Sequence, residues 1–375
     1  MRDPIQVEWL EDLERITRLE SEWRTLETRT PGRSVFGSFD YLAAWYRHYG
    51  ALLGSPLLGV ARRDGRLQGL APLHLWRGSV GRVPVRRLDL AGHNCEVGEF
   101  LLDPEDRECE TRLLRACLER RGVDVSVWGG FPPDSVLAQR ILDLARSAGR
   151  SVEVARYHQA VVDLSRGYDA YVRSMSGNFR KTLRRMEARV DAAGGARVDR
   201  IQDRVGSAEL EAMLARMFEV IDRSWKAIHG GPMAAHHRAF YAELAERFSR
   251  RGMLDLAVLS IGGRDAAFIF ALKESGVYYD GTISYADEFR DFSPGTWLMQ
   301  LVLRALPSSG VHTVVSHGDH AYKRRWARDF ARMDRCFLFA PTLLGSLSRL
   351  VRFHIPQPLR RRLVHESELG LPARA

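Results

Sequence analysis

The sequence predicts an α/β (α+β) chain made of two copies of one unit, each a twisted mixed β-sheet flanked by helices. Two repeats carry that expectation. The stretch PLLGVARRDGRLQGLAPLHLW (56–76) reads as strand, tight turn at Asp64-Gly65, and strand; LDLAVLSIGGRDAAFIFALKE (254–274) repeats it around Gly262-Gly263. After each hairpin an apolar helical pattern leads through a glycine into a further strand. The first is ETRLLRACLERRGVDVSVWGG (110–130) with Gly122; the second is GTWLMQLVLRALPSSGVHTVVSHGD (295–319) with Gly310. A glycine at that point suits the positive φ of a helix-to-strand turn. The boundary between copies is expected near 165, after HQAVVDLS, giving domains 1–165 and 166–342 and a basic amphipathic tail, 343–375.

The helices fit around this frame. In 179–190, Phe179, Leu183, Met186 and Val190 form one apolar stripe and leave Arg180, Lys181, Arg184 and Arg185 on other faces. In 207–225, Ser207 is the expected cap, and Leu210, Leu214, Met217 and Ile221 keep a helical period up to Trp225.

Composition narrows the classes. The chain has 375 residues, 45% apolar and 27% charged, enough to build sizeable cores and too apolar for a disordered chain. No stretch approaches the length and apolarity of a membrane span or signal peptide. Cys95, Cys109, Cys117 and Cys336 show neither CxxC spacing nor a disulfide framework, and none has a partnering base in sequence. They are expected to be buried small apolar residues, in a protein of the reducing cytoplasm. The net charge of +9 favours anionic partners. Part of it is local: RSMSGNFRKTLRRMEAR (173–189) carries six basic residues against one acid, and RLVRFHIPQPLRRR (349–362) five arginines and no acid. With Leu347, Leu350 and Val351, the latter run suits peripheral contact with an anionic membrane.

The copies differ before the helix that follows each hairpin. The first reads LLDPEDRECETRLL, with acids at Asp103, Glu105, Asp106, Glu108 and Glu110; the second reads FRDFSPGTWLMQ. A helix N-terminus offers unpaired N–H groups and partial positive charge to a phosphate, and carboxylates crowded there spoil it. Ser293, Pro294, Gly295 and Thr296 are therefore the candidate phosphate-binding turn, against the alternative of an ordinary Ser-Pro-Gly helix start. SHGDHAYKRRW (316–326), directly after a predicted strand, concentrates candidate chemistry. A metal at His317, Asp319 and His320 lacks a remaining ligand set, so no metal site is expected. DRSWKAIHGGP (222–232) is a candidate acceptor-side loop, with Trp225 and Lys226 as substrate-binding residues.

VFGSFDYLAAWYRHYG (35–50), NFRKTLRRMEARV, YYDGTISYADEFRDFSPGTWLM and GDHAYKRRWA together resemble the CelD-like, BioF-type acyltransferases of bacteria. These are a tandem branch of the GNAT N-acetyltransferase superfamily related in fold to the FemAB aminoacyl transferases. The resemblance spans roughly 5–345, and its most specific element is the ordered pair SPGTWL and GDHAYK. It implies two GNAT-like domains in tandem, with acyl-CoA as co-substrate in the second and no permanently bound cofactor. The donor's pyrophosphate is expected on the helix starting at Gly295, and the first domain's donor site is expected to be degenerate. Two departures, VVSHGD before the last motif and SPGT in place of a full glycine-rich phosphate signature, leave acyl carrier protein or a charged tRNA open as donor. The resemblance implies a small-molecule or glycan amine as acceptor, with envelope polysaccharide or lipid biosynthesis as the expected setting. The alternatives are a FemAB-like aminoacyl-tRNA-dependent transferase and a non-catalytic assembly factor; nucleic acid is otherwise disfavoured as a partner. Attack of an amine on a thioester needs a base, an oxyanion donor and an acid for the leaving thiolate. Asp280 or Asp319 is the candidate base, Tyr285 or Tyr322 the acid, and Lys323 the positive charge.

Overall fold

In the structure, a computed structural model that describes residues 4–30, 32–92, 98–231 and 233–355, both predicted hairpins close through turns of two positive-φ residues. These are Asp64 (52°) with Gly65 (73°), and Gly262 (57°) with Gly263 (78°). The pairs match the type I′ geometry whose twist suits antiparallel strands. Gly122 (75°) and Gly310 (76°) likewise have positive φ, as the helix-to-strand turns require.

The strands are β1 (Gln6–Leu10), β2 (Ser55–Arg63), β3 (Arg66–Val80), β4 (Val83–Leu90), β5 (Leu101–Leu102), β6 (Val125–Phe131) and β7 (Ser151–Asp163). They continue as β8 (Ala196–Ile201), β9 (Leu254–Ile261), β10 (Arg264–Glu274), β11 (Val277–Tyr285), β12 (Thr313–His317) and β13 (Asp329–Phe339). The chain divides into two compact units, 1–157 with 332–375, and 158–331. In the first, β1-β2-β3-β4 is antiparallel, β6 joins β4 in parallel, and β13 closes on β6 antiparallel. In the second, β8-β9-β10-β11 is antiparallel, β12 joins β11 in parallel, and β7 closes on β12 antiparallel.

Each unit is thus a twisted mixed sheet flanked by helices, with one pairing scheme used twice. The closing strands are exchanged: β7, at the end of the first copy, completes the second sheet, and β13 completes the first. That exchange is why the compact units part at 157 and 331 where boundaries at 165 and 342 were expected.

The second unit's core joins Leu259, Ile269, Leu298, Val302, Val314 and Trp326, all almost fully buried. The helix Gly177–Ala192 buries Phe179, Met186 and Val190, the expected stripe, under a Ser176 cap. Two local expectations need correction. The cap of Ser207–Asp222 is Gly206, so Ser207 is already helical. That helix also stops at Asp222, because extended Ser224 caps a separate short helix, Trp225–Gly230. Cys109, Cys117 and Cys336 are buried free thiols, and Cys95 lies outside the described residues. Among the described residues no helix is long and apolar enough to cross a membrane.

Candidate active site

β11 and β12 run side by side only from Val277↔Thr313 to Asp280↔Ser316. Beyond that register β11 continues to Tyr285 against β10, whereas β12 ends at His317 against Gln159 of β7. The register slips between Phe270 and Ala271 of β10, which makes Gly281 the extra residue of a bulge at the point of divergence. Two parallel strands therefore fork, and backbone polar groups past the fork no longer pair across it.

Asp280 sits at the fork. It is buried, and its carboxylate accepts a 2.6 Å hydrogen bond from the hydroxyl of fully buried Ser316. Burial pushes its pKa up from 3.8 to about 6, opposed by the charge of Lys323 and by the Ser316 hydrogen bond. Lys323 is also buried and donates through Nζ to the His317 carbonyl. Desolvation and the Lys323 charge push the His317 imidazole down to about 4, leaving a neutral ring at neutral pH.

The residues of the motif between His317 and Lys323 are more exposed. Tyr322 is 39% exposed and stacks on His320 with ring centroids 6.1 Å apart. Burial of its hydroxyl end and the nearby Asp280 raise the phenol pKa, which keeps the proton on. Asp319 is solvent-exposed and paired with Arg324 at 2.8 Å, so the two candidate bases occupy different environments: Asp280 at the fork, Asp319 at the surface. Tyr285 lies at the end of β11, partly buried. Among the described residues no cluster of His, Cys, Asp and Glu is placed to hold a metal ion.

Ser293 is the N-cap of the helix Pro294–Ala305 and has left-handed backbone (φ 51°, ψ 49°), an uncommon conformation for a side-chain-bearing residue before proline. It makes no side-chain cap. A Cβ on Gly295 would touch Ile283 and Tyr285 at ordinary contact distances, so this turn abuts the diverging part of β11. Ser293 and Thr296 open onto a cavity of about 790 Å³, also walled by Asn178, Thr182, Arg325 and Arg328. Asp280, Tyr322 and Lys323 do not line it. The equivalent helix start in the first unit is closed by its own acids. Asp106 caps Arg107–Leu118 by accepting from the Cys109 N–H at 3.0 Å and is gripped by Arg63 at 2.7 and 2.9 Å.

On the acceptor-side loop, Ser224 bridges to Ala286, directly after Tyr285. Trp225 begins the short helix and is 46% exposed, so it is not a core residue. Lys226 follows it; its side chain lies outside the described residues.

A buried network fixes the turn that carries Lys323. Gln300, inside the helix Pro294–Ala305, accepts from the Tyr168 hydroxyl (3.2 Å) and donates to that of Tyr171 (3.3 Å), which in turn donates to the Trp326 carbonyl (2.6 Å). Gln300→Leu removes the acceptor of the Tyr168 hydroxyl and the donor to the Tyr171 oxygen, while Tyr171 keeps its bond to Trp326, and is expected to cost about 1–3 kcal/mol, measured by urea unfolding.

Sequence reasoning missed Ser316 as the partner of Asp280 and weighed His317 only as a metal ligand. It also missed Asn178, Thr182, Arg325 and Arg328 as one wall. Arg325 and Arg328 follow the predicted strand, Ser316 lies at its end, and Asn178 and Thr182 sit on the helix Gly177–Ala192, so only the tertiary fold brings them together.

Residues 177–324 match the acetyltransferase (GNAT) domain family. No curated protein is matched by the sequence. In fold, the chain is similar to FemX (TM-score 0.57, 11% identity, covering 92% of this chain and all of that one). It is also similar to a DUF2156 domain from Agrobacterium fabrum assigned to a lysylphosphatidylglycerol synthetase (0.54, 12%, covering 92% and 98%). L-PGS from Bacillus licheniformis is a third such structure (0.54, 12%, covering 88% and 96%).

Proposed function

We propose that the second unit is an N-acyltransferase that moves an acyl group from acyl-CoA, or a related thioester, to an amine. The observation that carries this reading is the fork of β11 and β12, with a buried carboxylate at its apex and an uncapped helix start beside it. The donor's pantetheine arm runs along the exposed backbone of the fork, and its diphosphate lies on the turn Ser293–Thr296 facing the arginine-walled cavity. The first unit, with Asp106 seated in the equivalent place, binds no donor.

Asp280 takes the proton from the attacking ammonium or amine, directly or through a water. A carboxylate with a pKa near 6 is a stronger base than an ordinary aspartate and is still mostly ionised at neutral pH. Lys323 holds its positive charge close to Asp280 and to the negative charge that develops on the carbonyl oxygen. Tyr322, held protonated, delivers a proton to the departing thiolate; Tyr285 lines the acyl path beyond the fork. Trp225 and Lys226 wall the acceptor side. Asp319, salt-bridged at the surface, positions the turn and takes no proton.

Purified protein given a panel of acyl-CoAs and amines is expected to release free thiol, with kcat/KM rising through about pH 6 as Asp280 ionises. Absence of both turnover and donor binding across the panel contradicts the reading. A second reading, transfer from an aminoacyl-tRNA, is favoured by the exposed Lys181, Arg184 and Arg185 on the helix that walls the cavity. It predicts steep loss of RNA affinity with salt, which a filter-binding titration would show.

A further inference from the structure

Ser316 is fully buried on β12, and its hydroxyl donates to Oδ2 of Asp280 at 2.6 Å, the length of a charge-assisted bond. A buried hydroxyl is costly unless it is bonded, so a sheet that needed only packing would carry an apolar side chain there. The first unit does so. Gly122-Val123 and Gly310-Val311 lead into β6 and β12 alike, and the parallel ladders start at Arg87↔Val125 and Val277↔Thr313. Three residues further along each strand stand Leu90 and Trp128 in the first unit, and Asp280 and Ser316 in the second. All four are buried. Carboxylate and hydroxyl are present together in one copy and absent together from the other, and both sheets close.

Few other polar groups act on Asp280. Opposite it on β10 is Ala271, and opposite Ser316 on β7 is Ala160. The helix Pro294–Ala305 has one ionisable side chain, Arg304, which lies over the Tyr168 ring. On the same strand, two residues earlier, Tyr278 is fully buried and held protonated, with Lys273 opposite it on β10. The turn after β12 supplies Lys323 and the protonated Tyr322, while Asp319 and Arg324 pair with each other at the surface. Burial favours the neutral acid; the Lys323 charge and the Ser316 hydrogen bond oppose it. The hydroxyl takes up Oδ2, and Oδ1 makes no hydrogen bond among the described residues.

We infer that Ser316 is a positioning residue: its one hydrogen bond keeps Asp280 ionised in neutral solution and leaves Oδ1 as the oxygen that takes the acceptor's proton. When an N–H bond of the acceptor ammonium breaks, the proton passes to Oδ1. The electron pair stays on nitrogen for attack on the thioester carbonyl. That step rests on the acyltransferase reading of the second unit, whereas the hold of Ser316 on the ionisation of Asp280 does not.

The test is Ser316→Ala in the full chain, followed in two ways. The acidic limb of the kcat/KM profile is expected to move up by about one pH unit, so that activity falls about fivefold at pH 6 and far less at pH 9. Ser316→Thr, which keeps the hydroxyl, should hold the limb in place. The second measurement needs no turnover. Carbon-13 NMR of the Asp280 carboxyl, assigned through Asp280→Asn, should show the same upward displacement in Ser316→Ala. Should that variant fail to fold, Ser316→Cys, a weaker donor of similar size, must move the carboxyl titration in the same direction. The inference is overturned if the limb and the carboxyl titration stay where they are in wild type. It is also overturned if activity drops by one factor at every pH, as a purely structural role would require. A titration that moves in a protein that acylates no amine would support the hold of Ser316 on Asp280 and contradict the acyltransferase reading.

Discussion

At pH 8, Asp280→Asn is expected to unfold at a higher temperature than wild type and to turn over at least about a hundredfold more slowly. Both effects come from one buried carboxylate. Raising its pKa from 3.8 to about 6 means that the folded state disfavours the ionised form by roughly 3 kcal/mol. The sign follows from proton counting. Between about pH 4 and pH 6 the folded protein holds a proton on Asp280 that the unfolded chain has lost, so wild-type stability falls as pH rises through that window and stays lower above it.

Asparagine keeps an acceptor for the Ser316 hydroxyl and removes the ionisation. Lys323 then loses its counter-charge, which offsets part of the gain and leaves about 1–2 kcal/mol, or a few degrees in midpoint. Scanning calorimetry at pH 4.5 and pH 8 checks this: the variant's advantage should appear at pH 8 and shrink at pH 4.5. A variant less stable than wild type at pH 8, or one that retains full turnover, contradicts the assignment of Asp280 as a buried catalytic base.

Gly295→Glu is expected to abolish donor binding, by at least about a hundredfold in affinity, with the fold intact. A side chain fits there sterically, since the nearest atoms to its Cβ are Ile283 Cδ1 at 3.6 Å and Tyr285 Cδ1 at 3.8 Å. What it brings is a carboxylate at the positive end of the helix Pro294–Ala305, where the diphosphate is proposed to lie. Titration calorimetry with coenzyme A measures the effect, and circular dichroism confirms that the fold persists. An acidic change at the first unit's helix start, Arg107→Glu, is the control, since Glu108 already stands where Gly295 does. That helix start is already closed by Asp106, so coenzyme A affinity should not move. Equal loss from both variants would point to net charge as the cause and away from a local site.

The parts of this molecule written in local sequence were legible. Asp64-Gly65 and Gly262-Gly263 announce their hairpins because a two-residue turn with positive φ admits few residue pairs. The contrast between PEDRECE and SPGTW likewise shows in Asp106, which occupies one helix start, and Ser293, which leaves the other uncapped. Non-local pairing was not legible. β7 and β13 both look like ordinary closing strands, and nothing in either says that each completes the other copy's sheet.

The same limit governed the site. Asp280 and Ser316 lie 36 residues apart and meet only through the parallel register of β11 and β12. Asp319 and Lys323 sit four residues apart in one motif, yet Asp319 is at the surface and Lys323 is buried. A compact turn can send neighbours in opposite directions without any periodicity to reveal it.

The central claim is that a donor lies in the fork of β11 and β12 and on the helix start beside it. Amide hydrogen exchange with and without coenzyme A tests it most directly. Slowed exchange is predicted at 281–285 and 293–297, with no change at 101–110 in the first unit. Unchanged exchange at the fork and the helix start under saturating coenzyme A, or protection confined to the first unit, would contradict it.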